Sequence, residues 1–149
     1  TPKNKSGRAL SQCFRDGRCD GSFDLAGLFV VTVSGPILDR IQGALGTEEY
    51  LEYLHVYGFS VELAELAADW IHEKMEKEMV SGDGKAMIGC GSRFSPGYPA
   101  CPDLESQKLI VDVLKGDRIG IKLTSTFQMV PVQSVSAILA HHPDAGSMY

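Results

Sequence analysis

Hydrophobic and polar residues follow one another in blocks along the chain, and these blocks predict both strands and helices. The segment from Leu25 to Val33 is an almost uninterrupted apolar run, rich in valine. Such a run is typical of a central strand that is covered on both faces. Pro36 suits the first position of a helix, so we expect a short helix from Ile37 to Leu45 after this strand.

The stretch that ends at Met79 has the strongest helical pattern in the chain. Its apolar residues recur at the spacing of one helix face, namely Leu63, Leu66, Ala67, Trp70 and Ile71. Acidic residues occupy the intervening positions: Glu62, Glu65, Asp69, Glu73 and Glu76. This pattern predicts a long amphipathic helix whose apolar stripe packs on a sheet. Gly58 lies inside the helix and is expected to mark a bend or a close contact.

The second half of the chain predicts shorter elements. The segment from Gly89 to Pro102 is dense in glycine, proline and serine, which is typical of irregular backbone. Asp103 is expected to cap a helix from Leu104 to Leu114. Strands are predicted over Ile119 to Leu123 and over Ser134 to Ala140. The fold class expected for residues 1–149 is α+β, in one domain: a mostly antiparallel twisted sheet packed with a long amphipathic helix and shorter helices.

Composition narrows the classes of function. The chain has 149 residues, a mass of 16.1 kDa, 44% hydrophobic residues and 22% charged residues, which are ordinary globular values. The net charge of −5 argues against broad nucleic-acid binding. No apolar run approaches the roughly 20 residues of a membrane-spanning helix. We therefore expect neither nucleic acid nor membrane among the partners.

The cysteines and the N-terminal residues bear on the cellular compartment. The N-terminal residues show no signal-peptide pattern. The four cysteines, Cys13, Cys19, Cys90 and Cys101, form no C-x-x-C pair. Their even number leaves a disulfide framework open, but reduced thiols and a cytoplasmic location are the expectation.

The segment from Gly89 to Asp103 carries the strongest candidate chemistry. Its glycines allow a ligand to approach the main chain, and its prolines leave carbonyl groups free. Arg93 offers a planar fork for a carboxylate or phosphate, and Tyr98 offers a ring face and a hydroxyl. Together these groups suit a zwitterionic small molecule with an aromatic portion. The structural alternative is a proline-rich connection whose arginine forms a surface salt bridge.

A metal-dependent hydrolase is a weaker hypothesis. It would use His141, His142 and Asp144, but adjacent residues of a strand point to opposite faces, so these histidines cannot easily share one ion. A polar cluster at a strand end is the preferred interpretation. His72 does not belong to an H-E-x-x-H motif and is expected on the polar helix face near Glu76.

The segment around Arg93 also carries a family resemblance. Residues 93–99, Arg-Phe-Ser-Pro-Gly-Tyr-Pro, match the R-x-x-x-G-Y-P signature of the activation domain of cobalamin-dependent methionine synthase. Further segments resemble that family in the same order along the chain: residues 57–65, 70–73, 100–103, 124–131, 134–137 and 141–145. The resemblance runs from about Ala9 to His142. It implies that residues 1–149 correspond to the C-terminal portion of the activation domain.

The resemblance implies that the chain binds S-adenosylmethionine. Arg93 matches the arginine that contacts the methionyl part of this cofactor. The other positions that match the family's cofactor site are Ser95, Gly97, Tyr98 and Pro99, together with Ser147 and Met148 where the family commonly has an aromatic pair. No catalytic residue and no metal ligand are implied.

The resemblance also implies a task and partners. The task is the reductive remethylation of cob(II)alamin in methionine biosynthesis, as part of a cobalamin-dependent methyltransferase. The cobalamin would be bound mainly by a partner module, the cobalamin-binding module of methionine synthase, and the electron would come from flavodoxin or a similar reductase. The isolated chain is expected not to be catalytic. The alternative is a stand-alone, non-catalytic binding module that reactivates another corrinoid methyltransferase.

Overall fold

The structure, a computed structural model, describes residues 10–14, 25–44, 50–79 and 91–141. It confirms the expected α+β class, with an antiparallel sheet and packed helices. The strands are β1 (Ala26–Thr32), β2 (Gly91–Phe94), β3 (Lys122–Leu123), β4 (Met129–Val130) and β5 (Ser134–His141). The α-helices are α1 (Pro36–Ala44), α2 (Tyr50–Glu78) and α3 (Ser106–Leu114), with short 3₁₀ helices at Leu10–Cys13 and Gly116–Ile119.

The main sheet has three described strands in the order β1-β5-β2, and both pairs are antiparallel. In this sheet Phe29 lies opposite Ala137, and Phe94 lies opposite Ile138. Strands β3 and β4 form a separate antiparallel pair. Strand β5 is therefore the one that joins the first and second halves of the described chain.

Helices cover both faces of this sheet. Phe29 and Ala137 pack with Ala68 of α2 on one face. The next residue along β5, Ser136, points to the opposite face because side chains alternate along a strand, and its hydroxyl donates to Gln107 of α3 at 3.4 Å. Strand β1 is thus covered on both faces, as its apolar run predicted.

The predicted central position of β1 is wrong for the described part of the sheet. There β1 lies at an edge, and β5 occupies the centre. The physical reason is that a run of apolar residues reports the helices packed above and below a strand. It carries no information about how many strands pair with its backbone.

Helix α2 is confirmed, but the predicted apolar stripe is wrong in part: Ile71 packs against the core cluster around Ala68, and two of the large residues do not. The residues that α2 buries are Ser60, Ala64 and Ala68, whereas Leu66 and Trp70 are 63% and 61% exposed. The small side chain of Ala68 lets the helix backbone come close to the sheet, where Ile71 also packs. The helix also runs unbroken through Gly58, around whose Cα no neighbouring atom would approach an added Cβ within 4 Å.

The remaining elements correct the predicted boundaries. The segment from Gly89 to Pro102 is not wholly irregular, because it contains β2. The predicted cap at Asp103 is wrong: the helix begins at Ser106 with Glu105 at its N-cap and no side-chain cap hydrogen bond, and the Asp103 carboxylate accepts the Glu105 N–H at 3.0 Å in the turn before it. The predicted strand over Ile119 to Leu123 is confined to Lys122–Leu123, because a 3₁₀ helix occupies Gly116–Ile119.

Candidate ligand-binding site

A tight bend follows β2 and builds one wall of the candidate site. Pro96 and Gly97 occupy the two central positions of a turn in which the Tyr98 N–H donates to the Ser95 carbonyl at 3.4 Å. Proline fixes the first position, and Gly97 adopts a φ of +88°, which favours glycine. The Gly97 N–H and the Cys101 carbonyl then close the bend with a hydrogen bond of 2.8 Å. The sequence Ser-Pro-Gly-Tyr therefore makes a rigid bend.

A cavity of about 290 Å³ lies beside this bend. It is lined from β2, the bend, α2, α3, β4 and β5 by Glu65, Arg93, Phe94, Ser95, Pro96, Tyr98, Ala100, Gln107, Met129, Ser134, Val135 and Ser136. Its volume is near the lower end of the range for small-molecule sites, about 300–1,000 Å³. The mixture of apolar, hydroxyl and charged groups suits a small polar ligand with an apolar part.

The cavity exists because β2 is shorter than β5. Pairing between the two strands reaches only Phe94 and Ile138, so residues 134–137 have no strand partner on that side within the described sheet. The bend turns away at this point and leaves space at the sheet edge. Both Ser134 and Ser136 line this space, two residues apart on β5.

Arg93 is held at the cavity wall by two carboxylates of α2. Its Nη1 donates to Asp69 Oδ1 at 2.8 Å, and its Nη2 lies 3.4 Å from Glu65 Oε2. The Arg93 side chain is 24% exposed, against 44% for Glu65 and 62% for Asp69. The salt bridge that the structural alternative predicted is therefore present, and it stands beside a cavity. Arg93 is therefore both an ion-pair partner of α2 and a residue of the cavity wall.

Gln107 forms the rear of the cavity and is 5% exposed. Its Nε2 donates to the Phe127 carbonyl at 2.8 Å, and its Oε1 accepts the Ser136 hydroxyl at 3.4 Å. Phe127 has a φ of +62°, an uncommon backbone conformation for an aromatic residue. Gln107 thus connects α3, β5 and the 124–128 turn behind the cavity.

The structure brings together three of the predicted site residues at the cavity wall: Arg93, Ser95 and Tyr98. Gly97 and Pro99 are exposed residues of the bend, outside the cavity lining. The predictions for Ser147 and Met148 lie outside the described residues. The same is true of His142 and Asp144, and the described residues contain no group of three or more potential metal ligands.

Glu65 and Gln107 are cavity residues that the sequence analysis missed. The sequence pattern predicts Glu65 on a helix face away from the packed stripe, because it assigns the large residues of α2 to the buried face. The i, i+4 spacing of Glu65 and Asp69 was the available signal, since such a pair can bind one arginine from the same side. Gln107 had no signal beyond its position in the first turn of α3.

Two further titratable groups, His72 and Cys101, lie outside the cavity lining. His72 Nε2 lies 3.5 Å from Glu76 Oε1, the neighbour that the sequence predicted. Burial raises the pKa of the Cys101 thiol, and the Asp103 carboxylate acts in the same direction. A thiol with a raised pKa is a poor nucleophile at neutral pH, which agrees with the expectation of an ordinary reduced cysteine.

Comparison with known proteins identifies the family. A sequence profile of the family described as "Vitamin B12 dependent methionine synthase, activation domain" matches residues 2–149, so the chain belongs to this family. The chain is 32% identical over 139 residues to methionine synthase of Mycobacterium tuberculosis (strain ATCC 25618 / H37Rv), covering 84% of this chain and 12% of that protein. It is also 32% identical over 130 residues to methionine synthase of Mycobacterium leprae (strain TN), covering 78% of this chain and 11% of that protein.

A solved structure supports the same assignment. The crystal structure of the MetH reactivation domain bound to AdoHcy superimposes with a TM-score of 0.73 and 28% sequence identity, covering 85% of this chain and 42% of that chain. The resemblance stated from the signature around Arg93 is thus confirmed. The chain spans 12% and 11% of the length of the two methionine synthases and 42% of the solved reactivation domain. Within the residues that the structure describes, no helix is long and apolar enough to cross a membrane.

Proposed function

We propose that residues 1–149 are the C-terminal portion of an activation domain that binds S-adenosylmethionine. The observation that carries the proposal is the cavity beside the bend, with Arg93, Ser95 and Tyr98 in its wall. The solved relative is described as bound to AdoHcy, the demethylated form of this ligand, which supports the same chemistry for the present chain.

The residues of the cavity fit the amino-acid end of such a ligand. Arg93 retains N–H donors beyond those engaged by Asp69 and Glu65, and these can bind a carboxylate. Ser95 supplies backbone at the turn, and the Tyr98 ring offers a face to a cation, a contact of about 0.5–2 kcal/mol. The cavity would hold the amino-acid end, with the remainder of the ligand lying along the open edge of β5.

The role proposed for these residues is binding and orientation. When bound, S-adenosylmethionine supplies an electrophilic methyl group on a sulfonium sulfur. We propose that this chain presents it for reductive remethylation of cob(II)alamin held by the cobalamin-binding module of methionine synthase, with an electron from flavodoxin or a similar reductase. Holding two reactants in a fixed relative geometry can supply much of a rate enhancement without an acid, a base or a nucleophile from this chain. The relatives named methionine synthase favour this function over a stand-alone module for another corrinoid methyltransferase.

Calorimetric titration of the protein with S-adenosylmethionine tests the proposal. We expect saturable heat for the wild type and at least about a tenfold weaker affinity for Arg93→Ala, since a hydrogen bond to a charged group contributes about 1.5–3 kcal/mol. Arg118→Ala is the matched control, because Arg118 is exposed and lies outside the cavity lining. Absence of binding by the wild type at millimolar ligand, or equal binding by Arg93→Ala, would contradict the proposed site.

A further inference from the structure

Glycines in two strands let the C-terminal turns of α2 pack closely on the main sheet. A Cβ added at Gly27 of β1 would lie 2.6 Å from Met75 Cε, and one added at Gly91 of β2 would lie 2.9 Å from Glu76 Oε1. Glycine is the residue that permits such an approach, because it has no Cβ. Met75 and Glu76 therefore occupy the space that a side chain on either strand would need.

Glu76 uses this close approach to bind the backbone of β2. Its Oε1 accepts the Gly91 N–H at 3.1 Å, and the Glu76 side chain is 13% exposed. His72 Nε2, one turn earlier on α2, lies 3.5 Å from the same oxygen. Strand β2 lies at an edge of the described sheet, where β5 holds it from one side. The mostly buried carboxylate thus gives the first residue of β2 a second attachment, to α2.

The same face of α2 contacts Arg93 further along β2. Gly91 and Arg93 are two residues apart, so they lie on one face of the strand, about 7 Å apart along it. Asp69, which binds Arg93 at 2.8 Å, precedes Glu76 by seven residues, so both acids lie on one face of the helix, about 10 Å apart. The helix and the strand are therefore joined at two successive points, and the first constrains the second.

We propose that Glu76 is a positioning residue for Arg93: by binding the Gly91 N–H it sets where β2, and with it the Arg93 guanidinium, lies relative to α2 and the cavity. The inference rests on the proposed function, in which Arg93 binds the ligand carboxylate. Glu76 lies outside the cavity lining, so its effect reaches the ligand through the strand. A small shift of β2 weakens that contact, because a hydrogen bond to a charged group depends on distance and angle.

The test compares Glu76→Ala with Glu76→Gln. Alanine removes the acceptor of the Gly91 N–H, whereas glutamine keeps an oxygen that can accept it. In calorimetric titration we expect Glu76→Ala to bind S-adenosylmethionine about three- to tenfold more weakly, and Glu76→Gln to stay within about twofold of the wild type. The matched control is Glu73→Ala, on α2 at a side chain that is 71% exposed and outside the cavity lining, which should bind as the wild type does.

Two further measurements separate positioning from general destabilisation. Gly91→Ala pushes the Glu76 carboxylate away, so it should weaken binding as Glu76→Ala does, and the double variant should lose no more than either single variant. In NMR spectra of the ligand-free protein, the side-chain Nε–Hε signal of Arg93 should shift in Glu76→Ala and return toward its wild-type position in Glu76→Gln. Glu73→Ala should leave this signal in place.

The outcomes distinguish this inference from the proposed function. If the wild type binds S-adenosylmethionine and Glu76→Ala binds it equally well, or both Glu76 variants lose the same affinity, the inference is overturned and the proposed function stands. An Arg93 signal that is unchanged in Glu76→Ala, or additive losses in the double variant with Gly91→Ala, also overturn it. If Glu76→Ala does not fold, Gly91→Ala gives the same comparison of affinity and of the Arg93 signal.

If the wild type does not bind S-adenosylmethionine, the proposed function fails. The NMR measurement then still decides whether Glu76 positions Arg93, because it needs no ligand. A signal that shifts in Glu76→Ala and recovers in Glu76→Gln supports the positioning role, and a signal that does neither overturns it.

Discussion

Two glycines of this chain should respond in opposite directions to the same added methyl group. Gly97 stands at the bend with a φ of +88°, and a Cβ there would lie 3.1 Å from Leu104 Cδ1. Gly58 lies in the middle of α2 with no neighbouring atom within 4 Å of an added Cβ. The local backbone conformation therefore decides whether each Gly→Ala substitution raises or lowers the free energy of unfolding.

The magnitudes follow from the two conformations. Holding an alanine in the left-handed region destabilises the folded state by about 1–2 kcal/mol. Alanine also reduces the conformational entropy of the unfolded chain, which offsets about 0.4–1 kcal/mol of that loss. The Leu104 contact adds to the cost, so Gly97→Ala should lower the free energy of unfolding by about 1 kcal/mol or more. Gly58→Ala should raise the free energy of unfolding by about 0.5–1 kcal/mol, because alanine is the better helix former.

Urea denaturation with thermal melts would measure the pair. For a chain of this length, 1 kcal/mol corresponds to about 3 °C in Tm. We expect the Tm of Gly97→Ala to fall and that of Gly58→Ala to rise. The reasoning is refuted if both variants shift in the same direction, since the bend would then not require a positive φ. Ligand titration of the same variants adds a second check: only Gly97→Ala should also weaken binding, because it displaces the wall beside the cavity.

Three further substitutions test the core, the rear of the cavity and the buried thiol. Phe94→Ala removes a side chain that is 1% exposed and should lower the free energy of unfolding by about 3–5 kcal/mol, measured by urea denaturation. Gln107→Ala leaves the Phe127 carbonyl and the Ser136 hydroxyl without their partner, and should cost about 1–3 kcal/mol and speed amide exchange in the 124–128 turn. Because burial raises the pKa of Cys101, the folded chain keeps a proton that the unfolded chain releases, so stability should fall as pH rises above the usual thiol range. This fall should be smaller in Cys101→Ala across a pH series of denaturation curves.

Phe94→Ala has a control variant, and each of the three predictions has an outcome that would contradict it. Leu109→Ala on α3 changes a residue that is 67% exposed and should alter stability by less than about 0.5 kcal/mol. A similar loss in Leu109→Ala and Phe94→Ala would mean that burial is not the cause. Unchanged amide exchange in Gln107→Ala would show that the turn holds its shape without this residue. If the free energy of unfolding of the wild type and of Cys101→Ala changes with pH in the same way, the Cys101 thiol does not cause the fall in stability.

The sequence predicts well those elements whose residue types and spacing fit only one kind of secondary structure. The predicted strands over Leu25 to Val33 and Ser134 to Ala140 correspond to Ala26–Thr32 and Ser134–His141 in the structure, because apolar residues of high β-propensity favour a buried strand. The long helix is equally clear from its length and acidic content. The signature around Arg93 located the bend and the family, since proline and glycine at those positions restrict the backbone to a few conformations.

The rest depends on contacts that no local pattern contains. The α2 face that packs on the sheet combines the small Ala68 with Ile71 and Met75, so a search for large apolar side chains finds only part of it. The contact of Glu65 with Arg93 joins residues that are 28 positions apart, and it follows from the distance between α2 and β2. The position of β1 at an edge of the described sheet follows from strand pairing, which hydrophobicity does not encode.

The buried small residues of α2 bear on the position of Glu65 and Asp69, because these acids directly follow Ala64 and Ala68 in the sequence. Ala68 packs against Phe29 and Ala137 of the sheet, so its small side chain sets how close this part of α2 lies to the sheet and how far Glu65 and Asp69 are from Arg93 of β2. A bulky side chain at Ala68 would push this part of α2 away from the sheet, and the contacts of Arg93 with Glu65 and Asp69 would lengthen without any change to these three charged residues. The ion pairs of Arg93 beside the cavity therefore depend on the packing of a residue that carries no charge.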